Sequence, residues 1–351
     1  MAKLDGIHFN SRAIDGANKP INMVISARQD GKTTSIIVNK SAPAFEARGA
    51  MTIAFRRFIT DITEEYCASF AKIEEKFGFR HGNYSWKQCE KKEGVAHLRD
   101  ENGKTHYAIV ALNSPMNRIK GAFEENPAYG LFDEFVVDQR IGEKYLKGEA
   151  FRFKEAFKTF YRESGGMKMY LLGNPYSFYN PYFVAYGVDP KKLATQRLLI
   201  GSNWAAQYHD LSPELKAWLK DNDPQYADES DPYFQYAFNG VAINDGNIKV
   251  VDKQPQGFAL RFFLTVEGKT MAIYQNSDWG GQFEYWVGYQ GSARNADAFA
   301  FDFSDLSDGS VLYSREENWA ISRFARAVRM KKVAFASLEC DYLIEEIYPT
   351  L

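Results

Sequence analysis

Cysteine is scarce in this chain. Cys67, Cys89 and Cys340 are its three thiols, odd in number and far apart among 351 residues. They form no CxxC pair and no other metal-ligand spacing, which excludes a disulfide framework and fits a reduced, cytoplasmic chain. Long apolar runs are missing too. No stretch of about 18 apolar residues exists, so no transmembrane helix and no membrane partner are expected. The opening residues, MAKLDGIHFN, hold no apolar segment of signal-peptide type, so none is expected. Net charge is almost absent: 43 Lys+Arg against 45 Asp+Glu leave −2. That excludes a generic basic nucleic-acid coat and confines any nucleic-acid contact to a local patch. The five histidines, His8, His81, His97, His106 and His209, fall in no HxxxH or other metal spacing and read as structural or surface residues.

Aromatic residues, by contrast, are plentiful, at 15% with 27 Phe and 21 Tyr. They supply large buried areas and interface anchors. The length suits two domains of about 100–200 residues. In the first half, expected strands alternate with expected helices. Strands are read at residues 21–27 (INMVISA), 50–57 (AMTIAFRR), 130–135 (GLFDEF) and 167–174 (MKMYLLGN). Helices are read at 61–77, with an Asp61…Glu64 capping box, and at 147–162. A hairpin is expected over 95–112 around Asn102-Gly103. Such interleaving predicts a mostly parallel α/β sheet. Residues 188–255 carry five prolines and the charged run LKDNDPQYADESDP, and read as a linker with one helix at 213–220 capped by Ser212. A long surface insertion in the first domain is the alternative. The last hundred residues turn β-rich. Strands are expected at 258–266, 270–275, 283–289 and 298–303, and helices at 318–332 and 338–347.

The strongest chemical signal is Ser26-Ala27-Arg28-Gln29-Asp30-Gly31-Lys32-Thr33, followed by Thr34. It matches the phosphate-loop pattern GxxxxGK[ST], with Ser26 in place of the first Gly. An apolar strand precedes it and a helix follows. Backbone N–H groups of such a loop wrap a polyphosphate, and the positive end of the helix faces it. Lys32 would reach the β- and γ-phosphates and the Thr33 hydroxyl would ligate Mg²⁺. The strand ending Leu131-Phe132-Asp133-Glu134 then supplies an acid for the metal, Asp133. Its neighbour Glu134 is placed to activate a water. Asn174 ends the next strand at the carboxyl edge, where ligands of open α/β sheets bind, and could orient that water.

NMVISARQDGKTT, LFDEF, YRESGGMKMYLLGN and NPYF (180–183) occur here in an order and spacing that resemble the genome-packaging ATPases of small tailed phages of the phi29 type, across roughly residues 15–190. The resemblance implies a RecA-like ASCE phosphate-loop ATPase core (1–196), a small helical linker domain (197–247) and a C-terminal α+β docking domain (248–351) similar to a vestigial RNase H-type nuclease. It implies ATP and Mg²⁺ as cofactors. It also implies a homopentameric ring on the portal (connector) of a procapsid, driving double-stranded DNA inward. The setting is the host cytoplasm, transiently on the procapsid, and in the best-known relatives the ring docks on a packaging RNA. By the same resemblance Lys32 and Thr33 match the Walker A pair, Asp133 the Mg²⁺-ordering acid, Glu134 the catalytic glutamate and Asn174 the sensor. Arg162 matches an arginine finger reaching into a neighbour's site. Lys120 matches a basic residue of the family, and Arg56-Arg57 its paired arginines, candidates for contact with DNA or a neighbour's nucleotide.

Departures from that pattern are Ser26 and a weakly matching second domain. An active nuclease of this type clusters carboxylates around two metals, yet FALRFFLTV (258–266) has none. Asp278, Asp297, Asp302, Asp305, Glu339 and Asp341 form no readable constellation, so the domain is expected to be nuclease-inactive. Arg323, Arg326 and Arg329 recur every three residues, followed by Lys331-Lys332. They read either as one phosphate-facing helix face or as a solvated one. Two other functions stay open on the sequence: a terminase-like motor with an active C-terminal nuclease, and a nucleotide-binding portal or RNA adaptor with little hydrolysis.

Overall fold

The computed structural model describes residues 6–79, 85–89, 94–120, 127–138, 142–177, 180–223, 250–277, 281–289, 296–313 and 318–347. The chain divides into two compact units, Met1–Ile243 and Asn244–Leu351.

Nine strands of the first unit form one sheet among the described residues: β1 (Ile21–Ser26), β2 (Met51–Arg56), β3 (Ser85–Cys89), β4 (Val95–Arg99), β5 (Thr105–Ala111), β6 (Pro127–Asp133), β7 (Lys168–Gly173), β8 (Leu198–Ile200) and β9 (Trp204–His209). Their order is β3-β4-β5-β2-β6-β7-β1-β9-β8. The run from β5 to β9 is parallel, and the antiparallel pairs lie at the two edges. Every residue of β1 is buried, as expected of a parallel strand covered on both faces. On one face Phe55, Phe132, Phe153, Phe160 and Tyr182 share a core. Phe70, Tyr107, Leu131 and Tyr170 share one on the other. Much of the aromatic excess is therefore packing. Phe153 sits 5.6 Å from Phe55 and 5.5 Å from Tyr182, ring centre to ring centre, in edge-on contacts of the kind aromatic pairs prefer.

Two expectations need correction. The helix over 61–77 is Glu64–Lys76, and its cap is Thr63, whose Oγ1 accepts from Tyr66 N at 3.1 Å. Asp61 instead closes a short 3₁₀ turn by accepting from Phe58 N at 2.9 Å. Thr63 wins because its extended backbone (φ −102°, ψ 164°) aims the hydroxyl at the first turn. The second correction concerns the linker. Residues 198–209 do not lie in it: β9 pairs in parallel with β1 from Ile21↔Trp204 to Ser26↔His209, inside the sheet. The helix Pro213–Asn222 is capped by Ser212 as expected, and its Leu215 and Leu219 belong to the same core. The unit thus extends past residue 197. The rest of the expected linker, 224–249, falls outside the described residues, as do most of the charged run and Asp278.

In the second unit the sheet order is β14-β13-β10-β11-β12-β15, with β10 (Phe258–Val266), β11 (Lys269–Asn276), β12 (Tyr285–Gly288), β13 (Asp297–Ala300), β14 (Ser310–Leu312) and β15 (Val333–Phe335). β10, β11 and β12 form an antiparallel meander, and β13 and β14 continue it in parallel beside β10. The helix Trp319–Arg329 buries Ile321, Phe324 and Ala325, and its Arg323, Arg326 and Arg329 are exposed. Phe324 meets Phe262 and Tyr285 edge-on at 5.9 and 5.3 Å. Three of the carboxylates considered for a nuclease, Asp305, Asp302 and Glu339, serve local structure. Asp305 accepts from Glu267 N and Gly268 N at the β10–β11 turn (3.0 and 2.7 Å). Asp302 caps the 3₁₀ turn Phe303–Asp305, and Glu339 pairs with Lys269 and the Tyr289 hydroxyl.

Candidate nucleotide site

The site lies at the carboxyl ends of β1, β6, β7 and β9, neighbours in the sheet except that β6 reaches β1 through β7. Residues 26–31 leave β1 and curl into the helix Lys32–Ile36. The two left-handed residues of the curl are Gln29 (φ 62°) and Gly31 (φ 75°). Gly31 is the helix N-cap, and a side chain there would be strained. Ser26 itself has no positive φ. It is the fully buried last residue of β1, so a serine meets no backbone demand that only glycine satisfies.

Lys32 is buried, and its Nζ donates to Ser26 O and Ala27 O, both at 3.0 Å, and to Asn174 Oδ1 at 3.2 Å. Burial pulls its ammonium down to about 8, partly opposed by the charges of Asp30 and Asp133. Asn174, just past β7, therefore touches the lysine. Thr33 Oγ1 donates to Asp133 Oδ2 at 2.7 Å. A hydroxyl and a carboxylate held together just past the 26–31 loop are hard oxygen donors of the kind that hold Mg²⁺ together with substrate phosphates. Among the described residues, no group of three or more His, Cys, Asp or Glu side chains could form a dedicated metal cage.

Glu134 takes a left-handed backbone (φ 61°), and its N donates to Asp133 Oδ1 at 3.1 Å. Its carboxylate is exposed and 3.5 Å from Arg56 Nη1. Arg56 in turn lies over the Tyr66 ring at 4.5 Å, and burial raises the Tyr66 phenol well above its ordinary range. The two arginines have different surroundings. Arg57 is buried, its Nε donating to Glu149 Oε2 at 2.8 Å and its fork to Glu134 O and Phe135 O at 3.1–3.3 Å. It cannot reach DNA or a neighbour's nucleotide, which corrects its expected role: it fastens the turn that carries Glu134. Glu149 also accepts from the Tyr182 hydroxyl and Leu146 N, both at 2.8 Å, and Tyr182 belongs to the NPYF segment.

Further residues converge on the loop. Arg28 donates to the Tyr176 hydroxyl at 2.5 Å, Gln29 Nε2 to Asp223 Oδ2 at 2.8 Å, and Asp30 Oδ2 lies 2.8 Å from His209 Nδ1. Thr34 is half-buried in the following turn. Tyr176, Glu149, His209 and Asp223 were not legible in the sequence as parts of a site, since each depends on which elements the sheet makes neighbours. Arg162 does not join the cluster. It is exposed on the last turn of the helix Glu149–Ser164, which returns to the amino end of β7, the opposite edge of the sheet. Lys120 ends the helix Met116–Lys120, exposed, on the connection from β5 to β6.

No protein-family model matches the chain, and no curated protein matches it. Solved structures do. The bacteriophage phi-29 viral genome packaging motor assembly aligns with a TM-score of 0.66 at 16% identity, covering 98% of this chain and 99% of that one. The phi-28 DNA packaging motor aligns with a TM-score of 0.62 at 14% identity, covering 97% of each chain. The chain therefore shares the fold of these packaging-motor proteins along almost its whole length.

Proposed function

We propose that this chain is the ATPase subunit of a phage DNA-packaging motor, hydrolysing ATP to move double-stranded DNA into a procapsid. The observation that carries the reading is the convergence of Lys32, Thr33, Asp133 and Asn174 at one sheet edge. Lys32 and the loop N–H groups hold the β- and γ-phosphates. Thr33 and Asp133 would hold Mg²⁺, which when bound would offset the charge of the phosphates. Glu134 takes the proton of the attacking water, and its ion pair with Arg56 holds it ready. Asn174, bound to the Lys32 ammonium, keeps that group oriented and is free to turn to the γ-phosphate once ATP competes for the lysine.

Arg162 acts from a neighbouring subunit, which its position at the far edge of the sheet supports. A guanidinium there stabilises charge on the transferring phosphoryl. The chain works in a ring, a pentamer by its resemblance to the phi29 type, seated on the portal in the host cytoplasm. Lys120 and Arg56 are the candidates of the first unit for contact with DNA or a neighbour's nucleotide. The second unit is the docking domain, of RNase H-type ancestry, as its antiparallel meander with parallel flanking strands supports. It has given up nuclease chemistry, because β10 carries no carboxylate and Asp302, Asp305 and Glu339 are engaged in local contacts. The exposed arginines of Trp319–Arg329 suit the phosphates of a packaging RNA.

The test is ATP hydrolysis by the full-length chain assembled on portals with DNA. Glu134→Gln and Arg162→Ala should each lose at least roughly a hundredfold in kcat. Wild-type rates in both variants would overturn the reading.

A further inference from the structure

We propose that His209 is a positioning residue of the phosphate loop, acting through Asp30; the inference rests on the reading of that loop as an ATP site. Asp30 directly precedes Gly31, and its side chain is completely buried. A buried carboxylate is costly unless it is paired. The Lys32 ammonium feels the Asp30 charge, but its hydrogen bonds go to Ser26 O, Ala27 O and Asn174 Oδ1. Among the described residues, the hydrogen bond recorded for the Asp30 carboxylate is the 2.8 Å contact from His209 Nδ1 to Oδ2, and Oδ1 has none. With Asp30 as a carboxylate, which only accepts, His209 is the donor through Nδ1.

Both partners are fixed independently. His209 is the last residue of β9, in register with Ser26, and its ring stands edge-on to the buried Phe9 at 5.1 Å. Phe9 N donates to Asp30 O at 2.8 Å. The two strands flanking β1 thus each send one side chain into the loop. Asn174 after β7 steadies Lys32, and His209 at the end of β9 steadies Asp30. The need for the second is electrostatic. A carboxylate inside a loop built to wrap a polyphosphate repels the ligand, and the repulsion is strong where water is excluded. With its proton donor in place Asp30 stays below the loop with its charge offset. Without the donor the buried carboxylate loses that partner and shifts toward water, and its movement displaces the adjoining Gly31, whose left-handed backbone starts the phosphate-facing helix.

The test is equilibrium binding of a fluorescent ATP analogue with Mg²⁺ to the full-length chain, alongside the thermal midpoint without nucleotide. His209→Leu should weaken binding roughly tenfold or more and lower the midpoint as well, because it strands the buried Asp30 carboxylate. His209→Asn, which can present an amide N–H near the position of Nδ1–H, should restore most of the affinity. Asp30→Asn combined with His209→Leu should recover part of the loss, because the unpaired buried carboxylate is gone, although the Lys32 ammonium then also loses the Asp30 charge. Wild-type affinity in His209→Leu, or failure of both rescues, overturns the proposal. If His209→Leu does not fold, a tenfold loss in the folded His209→Asn variant overturns it as well. Lys32→Ala separates the two readings: if it binds the analogue as tightly as wild type, the ATP site itself is wrong, whatever the His209 variants do.

Discussion

At the scale of single residues, Lys32 carries a consequence of its own burial. Its ammonium is drawn from the ordinary lysine value of 10.5 down to about 8, chiefly by loss of water. Phosphates require the charged form, so bound nucleotide raises the value again. The sign follows. Below about pH 8 the lysine is already charged and binding takes up no proton through it. Above that the lysine is neutral without nucleotide, binding must first take up a proton, and affinity falls by up to about tenfold per pH unit. Calorimetry of ATP binding in buffers of differing ionisation enthalpy, from pH 7 to 9.5, should show proton uptake growing through that range. A flat profile would show that the ammonium stays charged without nucleotide. That Lys32, Thr33 and Asp133 would lie together was legible in the sequence because the phosphate-loop pattern fixes residue types at fixed spacing. His209 was not, because nothing local marks a histidine at a strand end as the partner of an aspartate far away in the chain.

At the scale of elements, the link between β2, the turn after β6 and the helix Glu149–Ser164 deserves a stability prediction. Arg57, Glu149 and Tyr182 form a buried charged knot, with the Arg57 guanidinium also over the Phe132 and Tyr145 rings at 5.6 and 5.3 Å. Removing one member strands a buried charge. Arg57→Met should cost about 3–5 kcal/mol in urea unfolding, whereas adding Glu149→Leu should recover part of that loss. Additive losses in the double variant would mean that the pair is not coupled. The same cut frees the Glu134 and Phe135 carbonyls, so ATPase activity should fall in Arg57→Met even where the fold persists. Paired arginines at the end of β2 look alike in the sequence; the sheet separates them, one under the turn and one beside the glutamate. Strands β1, β2, β6 and β7 were legible from their apolar runs. β9 was not, because WAAQYH is short and stands among prolines and charges that mark a linker. Only its pairing with β1 makes it a sheet strand.

At the scale of the whole molecule, the decisive feature is the direction of one helix. Glu149–Ser164 begins beyond the carboxyl end of β6 and ends beside the amino end of β7, so Arg162 is carried to the edge opposite Lys32 and Asp133. The strand that follows, β7, is bonded on both sides in the sheet. The proposed arginine-finger role of Arg162 would therefore be played toward a neighbouring subunit, and that has a mixing consequence. Arg162→Ala keeps a complete glutamate site but offers no finger, whereas Glu134→Gln offers the finger but cannot activate water. Each alone should be nearly inactive. Co-assembled on portals in equal amounts, the two should regain a substantial part of the wild-type ATPase rate, because a Glu134 site then meets an Arg162 from its neighbour. The rate should peak near equal mixing and fall toward zero with either variant in large excess. If instead the mixture gives only the sum of its separate components at every ratio, Arg162 does not complete a neighbour's site, and its exposure on the last helical turn reflects only the favourable placement of a cation at a helix C-terminus.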